Sequence, residues 1–365
     1  MTLRIAGFGT AVPPYSISQE DAAELSKSLC CESEERARLL PVLYRRTGVR
    51  KRHSVLLRGA NGSLASRQSF YPQARQDADC SPTTEQRMRR YEAEAPPLAL
   101  AAARRAIEDA GVDPGEFTHS VTVSCTGFNA PGLDAALIQG LGLPVGVERT
   151  HVGFMGCHGA LNGLRLAASF AEADPAARVL VCAVELCSLH FYYGWDAGKI
   201  VANALFADGA GAVVGMPSAL RAARDGWQAI SNGTLLIPDS QDAMSWRIAD
   251  HGFQMTLSPR VPLLIEQHLP DWLAGWLRQN GLSIDQVGSW AVHPGGPRIL
   301  SSFSAALGLD DGALSVSREV LGEYGNMSSA TVLFILERMQ RRRAPRPCVA
   351  VGFGPGMVIE AMLFD

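Results

Sequence analysis

The chain lacks any apolar run long enough to cross a bilayer. Its longest, such as Val179 to Val184 and Ala210 to Met216, fall far short of the roughly 20 residues a spanning helix needs. Eight cysteines are scattered through 365 residues without the spacing of a disulfide framework. The net charge is only −3, which argues against nucleic acid as the main partner. Local repeats are absent. The opening Met-Thr-Leu-Arg-Ile-Ala-Gly-Phe-Gly has neither the basic leader nor the long apolar core of a signal peptide, and reads as a first buried strand. A cytoplasmic, reduced location is the expectation. At 47% hydrophobic, the chain can bury a large core, as one α/β unit or as two fused halves.

Strand-like and helix-like segments alternate along the chain. Buried strands are expected at Arg4–Gly9, Ser120–Ser124, Val147–Val152, Arg178–Val184 and Gly211–Gly215, then at Trp227–Leu236, Ser289–Val292, Cys348–Gly352 and Val358–Leu363. Helices are expected at Pro97–Ala110, Leu133–Gly140, from Cys157 onward, at Arg260–Gly281 and at Ser328–Arg342. This alternation implies an α/β fold with sheets covered on both faces. The polar stretch Val55–Glu94 has no sustained period and reads as a surface excursion. A boundary near Pro217–Gly226 separates an N-terminal half, residues 1–217, from a C-terminal half, residues 218–365. Each half carries a glycine turn that feeds a helix, at Gly156-Cys157 and at Gly325-Asn326, which suggests duplication of one unit.

Three motifs carry chemistry. In His151-Val-Gly-Phe-Met-Gly-Cys-His-Gly-Ala160 a lone thiol, Cys157, sits where an extended run gives way to a helix. That helix has its apolar face at Leu161, Leu164, Ala167, Ala168 and Ala171. A cysteine there meets the positive end of the helix, which should stabilise its thiolate and lower its pKa. Trp290-Ala-Val-His-Pro-Gly-Gly-Pro297 delivers His293 at a strand end, and Tyr324-Gly-Asn-Met-Ser-Ser-Ala330 places Asn326 just before a helix. Taken singly, a buried cysteine, a structural histidine and a helix cap are the plainer readings. Taken together, they suit an enzyme that accepts an acyl group from a thioester on Cys157. Two N–H donors, from His293 and Asn326, would then stabilise an enolate oxygen during decarboxylation. A papain-like protease uses the same residue types, but its nucleophile lies near the start of the mature chain.

Met-Gly-Cys-His-Gly around Cys157, His-Pro-Gly-Gly-Pro at 293–297, Gly-Asn-Met-Ser-Ser-Ala at 325–330 and Gly-Phe-Gly-Pro-Gly at 352–356 occur in register. In this the chain resembles the type III polyketide synthases, the chalcone synthase-like branch of the thiolase superfamily, from Gly7 to Leu363. The resemblance implies a thiolase-like five-layered αβαβα subunit built from two similar halves, and a homodimer. It implies Cys157 as the acylated nucleophile, with His293 and Asn326 as the donor pair. It also implies acyl-coenzyme A and malonyl-coenzyme A as substrates, with no carrier protein and no cofactor. The glycine run at 352–356 is followed by a strand-like segment, so a dinucleotide site is rejected; Gly354 and Pro355 are expected in a loop lining the active site.

Other positions bear on the substrate through the same resemblance. Phe206 matches a gate between the coenzyme A tunnel and the cavity, and Met255 stands where plant members have a second phenylalanine. Trp246 and His190 replace a glycine and a threonine, and should shrink or reshape the elongation cavity. Cys125, like Ala202, is a small wall residue or, less in keeping with its setting, a second reactive thiol; Ser328 belongs to the Asn326 motif. Arg46, in the basic run Arg45–Arg52, matches a phosphate-contacting cation, while Leu39 and Val42 stand where two others are found. No metal-ligand spacing is present among Cys30, Cys31, Cys182 and Cys187. The expectation is a condensing enzyme that extends a fatty acyl starter and cyclises it to an alkylpyrone or alkylresorcinol. Competing readings are an initiation-type β-ketoacyl synthase that uses acyl carrier protein, and a non-catalytic acyl-binding partner.

Overall fold

The computed structural model describes residues 2–59, 66–74, 81–220 and 226–365. The N-terminal half runs β1 (Leu3–Ala11), β2 (Ser16–Ser18), α1 (Gln19–Cys30), α2 (Glu34–Arg45), β3 (Lys51–His53) and α3 (Thr84–Ala110). It continues through β4 (His119–Ser124), α4 (Leu133–Leu141), β5 (Glu148–Gly153), α5 (Gly159–Ala173), β6 (Val179–Leu186), α6 (Ala197–Leu205) and β7 (Asp208–Pro217). The C-terminal half opens with β8 (Gln228–Leu236), β9 (Met244–Ala249), β10 (Gly252–Leu257), α7 (Val261–Gln279), β11 (Ser289–Val292) and α8 (Pro297–Leu307). It closes with α9 (Ser315–Tyr324), α10 (Thr331–Arg341), β12 (Cys348–Gly354) and β13 (Val358–Phe364).

The two halves share one pairing plan. In the first, β4 lies parallel to β6, β6 antiparallel to β7, and β7 antiparallel to β1. In the second, β11 lies parallel to β12, β12 antiparallel to β13, and β13 antiparallel to β8. The halves join edge to edge where Leu3 pairs with Ala229 and Arg4 with Gln228. Helices cover the outer faces: α3 packs its alanine stripe on β1, β6 and β7, while α7 and α8 cover β11–β13. Between the two sheet halves lie α5 and α10, sharing one apolar cluster with residues of both. The fold is thus the thiolase-like layering, with α10 buried almost all round, as a helix between two sheets must be.

Two expectations need correction. The helix placed at Pro97–Ala110 begins at Thr84, where Thr83 and Gln86 form a reciprocal cap, and it runs through Pro96 and Pro97 without ending. The described parts of Val55–Glu94 are not a surface excursion. Leu56, Leu57, Tyr71, Arg87 and Tyr91 are buried, and Arg87 donates to the carbonyls of Pro82, Leu189 and Phe191. Residues 60–65 and 75–80 of that stretch, and 221–225 of the boundary, lie outside the described residues. The pattern reading passed over the β9–β10 hairpin and helices α1, α2, α6, α8 and α9 altogether.

Close packing of α3 on β1 depends on Gly7. A Cβ there would overlap the backbone of Ala110 and stand 2.5 Å from the Ala106 carbonyl oxygen, with no flexible neighbour to yield. Gly7→Ala is expected to lower unfolding stability by about 1–3 kcal/mol, the usual range for overpacking, as read by urea denaturation.

Candidate active site

Cys157 lies in a short 3-10 turn, Gly156–His158, that runs directly into α5. Gly156 has φ +75°, and a Cβ there would overlap the Pro355 ring, so only glycine lets the turn pass under the β12–β13 loop. His293 follows β11, its backbone N–H donating to Val351 O at 2.8 Å. Asn326 follows α9 and forms an isolated bridge with Phe206: its N–H donates to Leu205 O, and its carbonyl accepts from Ala207 N–H, each at 2.9 Å. Cys157, His293 and Asn326 line one small hollow together with Phe206, Met255 and Ala202. His293 and Asn326, 136 and 169 positions after Cys157 in sequence, thereby share one space with it.

The electrostatics differ from the reading made on the sequence. Burial pushes the Cys157 thiol up to about 12; hydrogen bonding from Ser328 pulls it down, Glu185 raises it further, and Asn326 pulls it down again. Desolvation is the largest of these influences on the sulfur. His293 is completely buried, and burial lowers its ring to about 3, with His158 adding to the depression. Neither ring nitrogen of His293 has a partner within the protein, which a completely buried ring demands from something that enters the hollow.

Around this centre the amide and hydroxyl groups are fixed. Ser328 N–H donates to Asn326 Oδ1 at 2.8 Å, which fills the oxygen and leaves the amide N–H groups as donors. Ser328 has φ +46°, a left-handed backbone that a serine adopts only under constraint. Its hydroxyl lies 3.6 Å from Cys157 Sγ and 3.1 Å from Cys125 Sγ. Behind them Glu185, fully buried and raised by burial, accepts from Ser329 Oγ at 2.5 Å, Thr126 Oγ1 at 2.7 Å and Cys125 N–H at 3.0 Å. Burial and Glu185 together push the Cys125 thiol well above its ordinary value, so its setting is that of a wall residue.

A larger cavity, about 1190 Å³ of atom-free space including its solvent-connected part, opens on the same sulfur. Phe206, Met255, Trp246, His190, Cys125, Ala202, Ser328 and Pro355 all line it. Trp246 and Met255 are cross-strand partners on β9 and β10, and the indole N–H donates to Cys125 O at 2.7 Å. His190 stacks on Phe253 at 4.2 Å; its Nδ1 accepts from Phe253 N–H at 3.0 Å, so Nε2–H donates to Thr126 O at 2.7 Å. Burial lowers this ring to about 3, and it stays neutral. Away from Cys157 the cavity extends between α1 and the segment after β3, past Leu25, Leu29, Leu56, Leu57 and Tyr71. Those last three lie in the stretch misread as an excursion, where the pairs Leu56-Leu57 and Phe70-Tyr71 were the available signal.

Two expected residues stand apart. Gly354 lines neither space; it leaves room for the His158 ring, which a Cβ there would overlap. Arg46 is exposed at the C-terminal cap of α2 and also lines neither. Among the described residues no group of side chains could hold a metal ion, and no helix is long and apolar enough to cross a membrane.

A buried cysteine at a helix start, faced across two similar half-folds by a histidine and an asparagine, is the arrangement of a thiolase-type condensing enzyme. Residues 2–217 match the model of the N-terminal domain of chalcone and stilbene synthases, and residues 229–365 match that of the C-terminal domain. The chain is 31% identical to an alpha-pyrone synthesis polyketide synthase-like protein, Pks18, of Mycobacterium tuberculosis, over 99% of this chain and 90% of that one. It is 33% identical to the 1,3,6,8-tetrahydroxynaphthalene synthase of Streptomyces peucetius subsp. caesius, over 98% and 92%. Among solved structures, PKS-I from the brown alga Ectocarpus siliculosus superposes with a TM-score of 0.93 at 32% identity, covering 100% of this chain and 98% of that one. The chain belongs to the chalcone and stilbene synthase family and is a type III polyketide synthase, an acyltransferase of the condensing type.

A thiol held high by burial has a testable consequence. Without substrate, alkylation of Cys157 by iodoacetamide should be slow at pH 7 and climb through pH 9 and above. A rate already on its plateau at pH 7 would show an ionised resting sulfur.

Proposed function

We propose that this synthase loads a fatty acyl group from coenzyme A onto Cys157, extends it with malonyl-coenzyme A and releases an alkylpyrone, with an alkylresorcinol as the next choice. The observation that carries the starter is the arm of the large cavity between α1 and Tyr71. Ile17, Ala22, Leu25, Leu29, Leu56 and Leu57 give it an apolar wall continuous with the space at Cys157. Such a wall suits an aliphatic chain and offers few partners to a polar one. The similarity to a protein named for alpha-pyrone synthesis supports the product class.

Cys157, His293, Asn326 and Phe206 each have a proposed part. The Cys157 thiol passes its proton to His293 as the sulfur attacks the thioester carbonyl, and the proton leaves with the coenzyme A thiol. Malonyl-coenzyme A then places its thioester oxygen against a His293 N–H and the Asn326 amide, whose own oxygen is already taken by Ser328 N–H. Loss of carbon dioxide leaves an enolate held by those two donors. Its carbon attacks the acyl carbonyl, a carbon–carbon bond forms, and the Cys157 sulfur departs. Phe206, bridged to Asn326 through the backbone, stands between the two spaces as a gate. Arg46 would meet coenzyme A phosphate at the surface. Residues 1–217 and 218–365 act as two halves of one catalytic unit, in a cytoplasmic homodimer.

The product settles the starter. Liquid chromatography with mass spectrometry across a series of acyl-coenzyme A starters should give pyrones that carry the alkyl chain. A starter-free aromatic product alone would overturn the fatty acyl reading. Trp246 lines the cavity that opens on the sulfur and is tied to Cys125 O. Trp246→Gly should therefore shift the product profile toward longer or differently cyclised chains; an unaltered profile would remove Trp246 from the cavity's control.

A further inference from the structure

Arg52 closes the basic run Arg45–Arg52, and nothing in the proposed reaction uses it. It sits in the middle of β3, paired with Ile17 of β2, and the chain leading into that strand lies along the end of α9, where Arg50 N–H donates to Gly322 O at 2.8 Å. From there the Arg52 side chain reaches across to the other wall of the site. Its Nη1 donates to Asn203 O at 2.5 Å and to Phe206 O at 3.0 Å. The guanidinium lies over the Tyr44 ring, 5.6 Å from its centroid. Asn203 is in the last turn of α6 and Phe206 is its C-terminal cap, so the cation meets the negative end of that helix.

The stem is fixed as well as the head. Gly325 has φ +76°, and a Cβ there would stand 3.0 Å from Arg52 Cγ, from Ala207 Cβ and from Leu205 O. Three groups therefore close on the residue before Asn326, and two of them belong to the segment that Arg52 holds at Phe206. The same segment carries the bridge to Asn326, in which Asn326 N–H donates to Leu205 O and Ala207 N–H donates to Asn326 O. That bridge is isolated, with no ladder beyond it to lend support. One arginine thus touches both of its sides, Phe206 through a hydrogen bond and Gly325 through its methylenes.

We propose that Arg52 is a positioning residue for Asn326. It clasps the 205–207 segment against Gly325, and so sets how far the Asn326 amide reaches into the hollow. Ser328 N–H orients that amide, but the place of its backbone depends on the bridge. Cys157 is carried by a different element, the turn before α5, which packs under Pro355. Arg52 therefore acts on the decarboxylation step and not on the loading of the sulfur. This rests on the donor role proposed for Asn326, and the two steps are read apart so that the failures are separable.

The experiment compares the enzyme with Arg52→Met and Arg52→Lys. Methionine keeps much of the stem without a donor; lysine keeps the charge on a shorter arm, without the flat head that lies on Tyr44. Two rates are measured: acylation of Cys157 by a fatty acyl-coenzyme A, from intact mass, and starter-free decarboxylation of malonyl-coenzyme A, from the carbon dioxide released. In Arg52→Met the kcat for decarboxylation should fall about tenfold or more, with KM for malonyl-coenzyme A and the acylation rate within about twofold of the unsubstituted enzyme. Arg52→Lys should lose about threefold or more in the same kcat with acylation kept, and it decides the matter if Arg52→Met does not fold. Unaltered decarboxylation would overturn the proposal, and so would an equal loss of both rates, which reports a general loosening. An unsubstituted enzyme that neither loads nor decarboxylates would fail the condensation reading, and this proposal with it.

Discussion

The burial of α5 and α10 between two sheet halves is the constraint from which the site follows. Each half ends its strands against this central layer, so the turn before α5, the loop after β11 and the turn before α10 converge on one hollow. The convergence is tight enough that a Cβ would overlap a neighbouring ring at two positions. Gly156 lies under the Pro355 ring and Gly354 under the His158 ring. The same enclosure removes water from Cys157 and His293, and desolvation then weighs against charge on either group. In this enzyme the layering that builds the fold also shapes the chemistry of the site.

That enclosure bears on how reactivity arises. Where burial holds a proton on the thiol, attack on a carbonyl needs a base that can take it. His293 can be that base because neither of its nitrogens is engaged within the protein. Asn326 can be a donor because the Ser328 N–H bond to its Oδ1 orients the amide and leaves its N–H groups to donate. The strained backbone at Ser328 holds that bond in place.

Much of this was legible in the sequence. Cys157, His293 and Asn326 stand out because glycine turns expose them at element ends, and the nine expected main-sheet strands appear with ends shifted by at most three residues. What could not be read has physical causes. The prolines at 96 and 97 look like a helix start, yet a long amphipathic helix anchored by Tyr91 and Ala95 on the core absorbs them. Leu56 and Tyr71 looked like loop residues because their partners, on α1 and around residue 188, are distant in sequence. The depressing effect of burial on ionisation cannot be seen in a motif: the helix-start argument for a thiolate considered the dipole and omitted the desolvation.

The account stands on Cys157 as the one atom that carries the acyl chain. Intact-mass spectrometry of the protein after incubation with a fatty acyl-coenzyme A, followed by peptide mapping, tests this directly. The account predicts a single acyl adduct on the peptide containing residue 157, absent in Cys157→Ala. An adduct that persists in that variant, or that maps to Cys125, would contradict it.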